Sequence, residues 1–323
     1  MKLLNANHKN ILFAAGLIKE GSLVAFPTET VYGLGADGLN PLAVAKIFEA
    51  KKRPSFNPLI LHISNLKQLE MISESDNPNI KKLIDNFWPG PLTLVLPKKN
   101  IVPDIVTAGN ETVAVRMPNH PTALELIDFV GNPIAAPSAN TFGHLSPTTA
   151  QHVVNQLGNK VDLILDGGTC TVGIESTIIA VLEDRTILLR PGGTAIEEIE
   201  KIIGPIEKDV NFSSNQPISP GQLPYHYAPK IPIRFMNNLE KEKFEPSKTG
   251  LLLFTDKKVD YPFKIIKVLT HNSDLREAAA NLFSYLHEME STGIDIIFVE
   301  TVPEVGLGIA IMDRLRKATN KYE

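Results

Sequence analysis

The sequence predicts an α/β protein built from two domains. Between Ser22 and about Gly204, short apolar segments bounded by Gly or Pro alternate with stretches of helical periodicity. Residues 210–230 are rich in Pro, Ser, Asn and Gly, show no periodicity and exceed most internal connections in length. Further strand-like and helix-like stretches follow them. This order favours a larger domain with a largely buried, partly antiparallel sheet, then a linker or functional loop, then a smaller α/β domain.

Six short segments are predicted as strands of the first sheet because they are apolar and rich in β-branched residues. They are 22–26, 59–63, 93–97, 112–117, 133–137 and 162–166. Residues 175–190 predict a hairpin that turns at Glu183–Arg185.

Helix starts are marked by proline and by capping residues. Asn40 precedes Pro41 as the N-cap of one predicted helix, and Pro121 and Pro147 are expected near the first turns of two others. At the N-terminus, Ile11, Leu12, Ala15 and Ile18 have the spacing of an amphipathic helix rather than of a signal sequence.

The second domain is predicted from two apolar segments, 249–254 and 294–301, that read as buried strands. Residues 273–292 between them predict a helix, and residues 308–320 predict a closing helix.

Composition excludes several classes of function. The 323 residues are 43% hydrophobic and 21% charged, and the net charge of -4 provides no general attraction for nucleic acid or an anionic membrane. The single cysteine, Cys170, excludes an internal disulfide and a cysteine-based metal cluster. No apolar run approaches the roughly 20 residues of a membrane span. We therefore expect a soluble, cytoplasmic protein whose anion sites are local.

The segment "KKRPSFNPLILHI", Lys51 to Ile63, is a candidate anion site. Cations after a helix can simply complement its dipole. However, Pro54 disfavours helical backbone at Arg53, so Lys51 and Arg53 could turn toward one ligand. Lys and Arg are the usual partners of phosphate oxygens.

Other candidate ligand contacts lie at strand ends. Arg116 ends a predicted strand, and Arg190 closes the predicted hairpin. His62, inside an apolar strand, is by itself more typical of a core histidine. Residues 136–151 offer hydroxyls before a helix, which suits phosphate, although the spacing is not that of a P-loop. No nucleophile elbow or metal-binding histidine pattern is present. Charge stabilisation, as in nucleotidyl transfer, fits these residues better than a protein nucleophile.

Several motifs together resemble the threonylcarbamoyl-AMP synthase family, which is built on a YrdC-like domain. They are "FPTETVYGLGAD", "KKRPSFNPL", "APSAN", "GIESTI" and "LRPG". "SPGQLPYHYAPK" and "VGLGIAIMDRLRKA" resemble the linker and closing helix of its two-domain members. The resemblance implies a twisted mixed sheet with flanking helices plus a small Rossmann-like α/β domain. It divides the chain into a catalytic domain (1–207), a linker that covers the active site (208–231) and a C-terminal domain (232–323).

The resemblance also implies an activity and its residues. The family combines L-threonine, bicarbonate and ATP, with Mg²⁺, into threonylcarbamoyl-AMP and pyrophosphate. The product serves a tRNA threonylcarbamoyl transferase complex acting at adenosine 37. Threonine contacts are implied for Thr30, His62, Arg116, Ala136 and Ser176. ATP contacts are implied for Lys51, Arg53, Asn57, Thr112, Ser138, Asn140, Ser146, Arg190 and Tyr227, with Lys51 and Arg53 as the catalytic cations and no protein ligand to a metal.

An alternative hypothesis is a module that binds double-stranded RNA or tRNA without catalysis. The acidic charge balance and the lack of interleaved basic and aromatic residues count against it as the main activity. A weak contact with tRNA remains an expectation beside the enzyme hypothesis, and no membrane partner is expected.

Overall fold

A computed structural model describes residues 1–74, 76–182, 185–207, 217–223, 226–239 and 244–322. Its strands fall into two sheets flanked by helices. The strands are β1 (Lys2–Asn5), β2 (Val24–Phe26), β3 (Gly33–Asp37), β4 (Ile60–His62), β5 (Leu92–Pro97), β6 (Thr112–Arg116), β7 (Ile134–Ala135), β8 (Leu163–Asp166), β9 (Thr177–Val181), β10 (Thr186–Arg190), β11 (Ile233–Phe235), β12 (Thr249–Leu253), β13 (Ile265–Val268) and β14 (Ile296–Val299). The α-helices are α1 (His8–Lys19), α2 (Pro41–Lys51), α3 (Leu66–Ile72), α4 (Pro78–Phe87), α5 (Asp104–Thr107), α6 (Pro121–Val130), α7 (Ala150–Leu157), α8 (Ile196–Ile203), α9 (Leu275–Glu290) and α10 (Leu307–Thr319).

The large sheet has the strand order β1-β8-β2-β3-β7-β4-β6-β5-β9-β10 and mixes parallel with antiparallel pairs. The small sheet has the order β11-β14-β12-β13, and its pairs are all parallel. A large mixed sheet with flanking helices is the architecture expected from the sequence. The parallel small sheet agrees with the expected Rossmann-like domain. The division at 207, 208 and 231 remains a prediction.

The predicted strands and helices are confirmed, with bounds that differ by a few residues. Each of the six predicted strand segments overlaps an observed strand, and β9 and β10 pair as the expected antiparallel hairpin. Glu183 and Asp184 of its predicted turn lie outside the described residues. The side chain of Asn40 accepts hydrogen bonds from the amides of Leu42 and Ala43, so its capping role is also confirmed.

One helix start was wrong. Helix α7 begins at Ala150 with Thr149 as its N-cap, so Pro147 lies before the helix rather than in its first turn. The hydroxyl of Thr149 accepts from the amide of His152, which makes it the stronger local start signal.

Helices cover both faces of the sheet around β2 and β3. Val24 and Phe26 pack with Ile11 of α1 and Leu126 of α6. The alternate residues of the same strands pack with the apolar faces of α2 and α7 on the opposite side. Because side chains alternate across a strand, β2 contributes to both cores, whereas β3 contributes side chains only to the core on the α2 and α7 side.

The segment "GLGAD" forms strand β3 although it contains two glycines. The strand pairs antiparallel with β2, and Gly35 lies against the Phe26 ring. A Cβ at Gly35 would lie 2.7 Å from Cε1 of Phe26 and 2.9 Å from Cγ2 of Ile134. Glycine is needed here for close packing rather than for a turn.

A third hydrophobic core lies between the loops of the large sheet and the C-terminal helices. Val31, Leu145 and Ile174, from loops of the large-sheet region, pack with Tyr227 and with apolar residues of α9 and α10. The C-terminal helices are therefore in direct contact with loops that surround the candidate site. Within the described ranges, no helix combines the length and apolarity that crossing a bilayer requires.

We predict that Gly35→Ala lowers the free energy of unfolding by about 1–3 kcal/mol because the added methyl group overpacks the sheet. Urea unfolding followed by circular dichroism measures this change. Gly16→Ala is the matched control, since a Cβ at this position in α1 meets no atom within 4 Å. The control should be neutral or stabilise the protein by up to about 1 kcal/mol. Equal stabilities of the two variants would contradict the packing argument.

Candidate active site

A cavity lies over the large sheet where its loops meet the linker. It encloses about 50 Å³ of free space. The lining comes from the loop after β2, from β4 and β6, from the segment after β7, from the ends of the β9–β10 hairpin and from the linker. Its residues are Thr28, Thr30, Val31, Gly33, Arg53, Ile60, His62, Arg116, Ala136, Pro137, Ser138, Glu175, Ser176, Arg190, Pro220, Gly221, His226 and Tyr227.

The end of α2 turns two cations inward. The helix ends at Lys51, and Lys52 adopts a left-handed backbone with φ 54°, which redirects the chain before Arg53. As a result Lys51 is 1% exposed and Arg53 is 8% exposed, whereas Lys52 is exposed. The inward turn predicted from Pro54 is therefore observed.

Protein oxygens hold both cations in place. Lys51 Nζ donates to the carbonyl oxygens of Ser138 and Asn140, each at 2.5 Å. Arg53 donates to Oδ1 of Asn57 and to the carbonyl of Pro58, each at 2.7 Å. Both cations are thus held by neutral acceptors.

The electrostatics of these cations favour an anionic ligand. Burial lowers the pKa of Lys51, and the charge of Arg53 lowers it further. Burial lowers the pKa of Arg53 to about 9; Tyr227 opposes this shift, and Arg190 adds to it. Phosphate oxygens entering the cavity would relieve this repulsion and favour the charged forms.

Arg116 forms a second anion-binding position. Its guanidinium is 2.6 Å from Oε2 of Glu29 and donates to Oγ1 of Thr30 at 2.9 Å and to the carbonyl of Gly90 at 3.1 Å. Strands β4 and β6 pair His62 with Arg116, which places the imidazole beside the guanidinium. Because Glu29 already compensates the charge of Arg116, this arginine can stay buried before a ligand carboxylate arrives.

His62 is a neutral member of the site. It is 4% exposed, and burial, with a further contribution from Arg116, lowers its pKa to about 3. A neutral imidazole can donate one hydrogen bond and accept another, which suits an uncharged polar group of a ligand.

The β9–β10 hairpin supplies the fourth cation, Arg190. Arg190 donates from Nε and Nη2 to the carbonyl of Ser176, at 3.1 and 2.8 Å, and from Nη2 to Oγ of Ser176 at 3.1 Å. The Ser176 hydroxyl also lies 2.7 Å from Oγ1 of Thr93. The hairpin arginine is therefore held against the start of β9, facing the cavity.

Described residues of the predicted linker line one side of the cavity. Tyr227 is 2% exposed, and Gly221 has a left-handed backbone with φ 90°. A Cβ at Gly221 would lie 2.6 Å from Cδ of Arg190 and 2.8 Å from the hydroxyl oxygen of Tyr227. Only glycine allows the backbone at position 221 to lie so close to these two side chains.

The structure brings most of the sequence-predicted residues together. The residues that line the cavity are Thr30, Arg53, His62, Arg116, Ala136, Ser138, Ser176, Arg190 and Tyr227. Three further predicted residues contact these lining residues. Lys51 donates a hydrogen bond to the carbonyl of Ser138, and the Ser138 hydroxyl donates to Oδ1 of Asn140. Asn57 accepts a hydrogen bond from Arg53. Ser146 donates to Glu175.

Thr112 lies elsewhere. It begins β6 opposite Pro97 and lines a different cavity, together with Asp76 and Val181. Its assignment to ATP remains a prediction, and this structure does not bring it to the other site residues.

Several residues at or beside the cavity were not assigned to the site from the sequence, among them the polar residues Glu29, Glu175, His226 and Arg314. The signal for Arg314 was available, because it lies beside Ile311 and Leu315 on the buried face of α10. A charged residue on an apolar helix face predicts a buried partner, although the identity of that partner, Glu175, requires the tertiary structure.

The site combines three buried arginines and a buried lysine with hydroxyl groups and a neutral imidazole. This combination indicates the class of protein. It is an α/β protein whose loops bind a ligand with phosphate or carboxylate groups.

Comparisons with known proteins are consistent with this class. Residues 16–192 match the Sua5_yciO_yrdC family, described as "Telomere recombination". Residues 194–320 match "Threonylcarbamoyl-AMP synthase, C-terminal domain". The threonylcarbamoyl-AMP synthase of Pyrococcus abyssi is 45% identical, covering 96% of this chain and 94% of its own length. That of Bacillus subtilis is 44% identical, covering 98% and 94%.

A solved structure extends the similarity to three dimensions. The crystal structure of Pyrococcus abyssi Sua5 complexed with L-threonine has a TM-score of 0.91 and 42% identity, covering 99% of this chain and 98% of that chain. This protein belongs to the threonylcarbamoyl-AMP synthase family in its two-domain form.

We predict that His62→Gln reduces the dependence of stability on pH. The pKa of His62 is about 3 in the folded protein but about 6.5 in the unfolded chain, so the unfolded chain takes up the proton first as the pH falls. The stability associated with the neutral ring is present above pH 6.5 and falls by about 2 kcal/mol on going to pH 5. Urea unfolding at pH 7 and pH 5 measures this loss, which the variant should lack.

His8→Gln is the comparison at an exposed histidine: its side chain is 76% exposed, and its Nδ1 lies 2.5 Å from Oε1 of Glu125. Because an exposed ion pair contributes little to stability, this variant should retain most of the pH dependence of the wild type. A wild-type pH dependence in His62→Gln would show that this ring is not held neutral by burial.

Proposed function

We propose that this protein is an L-threonylcarbamoyladenylate synthase, an enzyme that converts L-threonine, bicarbonate and ATP into threonylcarbamoyl-AMP and pyrophosphate. The observation that carries the proposal is the gathering of Arg53, Arg116 and Arg190 in one cavity of a fold shared with a threonine-bound relative. Two separate anion positions are what an amino acid and a nucleotide require.

Arg116 is proposed to bind the threonine carboxylate. It is already oriented by Thr30 and Gly90, and its neighbour His62 can hydrogen-bond without adding charge. Ser176 and the backbone of Ala136 complete this half of the cavity. Glu29 would keep Arg116 compensated when threonine is absent.

Lys51, Arg53 and Arg190 are proposed to bind the phosphates of ATP. Asn57 and Asn140 hold the first two cations, and Ser138 faces the cavity beside them. The remaining ATP contacts proposed from the family resemblance are Ser146, Thr112 and Tyr227.

In the proposed reaction, the amine of threonine and bicarbonate form a carbamate with loss of water, and a carbamate oxygen attacks the α-phosphorus of ATP. A phosphorus–oxygen bond forms to the carbamate, the bond to the β-phosphate oxygen breaks, and pyrophosphate leaves with the electron pair. The cations would stabilise the charge that develops on the phosphate oxygens. Mg²⁺ would enter with ATP, as part of the MgATP substrate, and be held through its phosphates.

Closure by the linker is proposed to protect the labile carbamate and mixed anhydride from water. The cavity of about 50 Å³ is far below the roughly 300–1,000 Å³ of ordinary ligand pockets. The linker would therefore have to open for ATP to enter, and Tyr227 would return over the bound substrates.

The product is proposed to pass to a tRNA threonylcarbamoyl transferase complex that modifies adenosine 37. We propose that this transfer occurs in the cytoplasm and is accompanied by a weak contact with tRNA.

We predict that pyrophosphate release from MgATP requires both L-threonine and bicarbonate. An enzyme-coupled pyrophosphate assay measures it, and mass spectrometry identifies the adenylate. Omitting either co-substrate should reduce release to background, because the attacking group does not form. Release that persists without threonine would contradict the proposed function.

We predict that Lys51→Ala and Arg53→Ala each reduce kcat/KM by about 100-fold or more, as when one stabilising group is removed from a transition state. The same pyrophosphate assay applies, and circular dichroism checks folding. Lys52→Asn is the matched control, because its side chain is exposed and Asn tolerates the left-handed backbone at this position. Near-normal turnover in either alanine variant would exclude the assigned role of that cation.

A further inference from the structure

The C-terminal helix α10 carries a buried charge into the neighbourhood of the active site. Arg314 is 1% exposed. Its Nε donates to Oε2 of Glu175 at 2.7 Å, its Nη2 donates to the carbonyl of Pro191 at 3.0 Å, and its Nη1 donates to Oδ2 of Asp313 at 2.6 Å. The centre of its guanidinium lies 4.6 Å from the centroid of the Tyr227 ring.

We infer that Arg314 is a positioning residue for the proposed nucleotidyl transfer. Through this one side chain, the C-terminal region would fix the position of the β9–β10 hairpin ends relative to Tyr227 of the linker. The inference rests on the proposed function and assigns to α10 a part in it.

The hairpin side is held at two points. Glu175 directly precedes Ser176, and Pro191 directly follows Arg190. Arg314 donates hydrogen bonds to Glu175 and to the carbonyl of Pro191. Arg190 donates to the carbonyl of Ser176. Loss of Arg314 would thus free the two segments that carry Ser176 and Arg190.

Glu175 also contacts Ser146, one of the proposed ATP-binding residues. Its other carboxylate oxygen accepts a hydrogen bond from Ser146. Burial raises the pKa of Glu175, but the charges of Arg314 and Arg190 outweigh this effect, so the pKa lies below its usual range. The carboxylate is therefore ionised and able to accept from both Arg314 and Ser146.

The linker is held by the same helix. The guanidinium of Arg314 lies against the ring of Tyr227, a cation–π arrangement that is favoured in a desolvated site. One turn later, Lys317 donates to the carbonyl of Gly221 at 2.7 Å. Asp313 pairs with both Arg314 and Lys317, at 2.6 and 2.8 Å, so the two contacts are coupled.

Arginine chemistry is needed for this arrangement. The planar guanidinium donates in several directions within its plane and stacks through its face. Lysine would keep the charge but could not reach Glu175 and Pro191 while lying flat on Tyr227. A purely electrostatic role would survive that substitution, whereas a positioning role would not.

Arg314→Lys and Arg314→Met in the full-length protein test the inference. Both should lower kcat for threonine- and bicarbonate-dependent pyrophosphate release at least tenfold, while KM for ATP and threonine changes less than threefold. This split is expected because misplaced groups affect the transition state more than ground-state binding. Arg316→Ala is the matched control on α10; its side chain is 50% exposed and pairs with Glu304, and kcat should stay within twofold of the wild type.

A rescue experiment separates positioning from charge balance. If Arg314 only neutralised Glu175, then Glu175→Gln should restore activity to Arg314→Met. We expect no restoration, because the contacts to Pro191 and Tyr227 remain absent. Wild-type kcat in Arg314→Lys, or full rescue by Glu175→Gln, would overturn the inference.

Hydrogen exchange provides a readout that does not depend on activity. Amides in 217–223 and 226–228 should exchange at least tenfold faster in Arg314→Lys than in Arg316→Ala, because the linker is released. Unchanged exchange would overturn the linker part of the inference even if Arg314→Met failed to fold. If the wild-type protein made no adenylate, the proposed function would fail, whereas faster linker exchange in the variant would still support the hold of α10 on the linker.

Discussion

Burial of positive charge is the constraint on which the arrangement of this protein depends. Lys51, Arg53, Arg116, Arg190 and Arg314 are all nearly inaccessible to solvent. Isolated buried charges are costly, so each must be held by oxygens or balanced by a carboxylate. The loops, the linker and the C-terminal helix are placed as they are because they supply those partners.

The buried cations differ in the charge of their partners, and this difference suits the proposed chemistry. Arg116 and Arg314 pair with the buried carboxylates of Glu29 and Glu175. Lys51 and Arg53 bond instead to neutral carbonyl and amide oxygens, so positive charge remains near the cavity. The compensated Arg314 suits a permanent structural part, the compensated Arg116 can stay buried until the proposed threonine carboxylate binds, and the other two cations suit phosphates that bind and leave.

The two regions of the chain meet around this charge. The core that joins Val31 and Ile174 to α9 and α10 brings the C-terminal helices against the site loops. Such contact makes the C-terminal region part of the surroundings of the cavity rather than a separate appendage. It also gives the linker a surface on each side, with Arg190 on one and α10 on the other.

Sequence patterns alone predict the α/β class and most strands and helices, and the resemblance to a family supplies the candidate site residues. Local signals were sufficient there, because periodicity, caps and short motifs lie within a few residues of one another. The tertiary structure was needed to show the burial of His62, its pairing beside Arg116, the partner of Arg314 and the location of Thr112 away from the cavity. Each depends on residues far apart in the chain, whose distances and desolvation arise when the sheet and the C-terminal helices pack together.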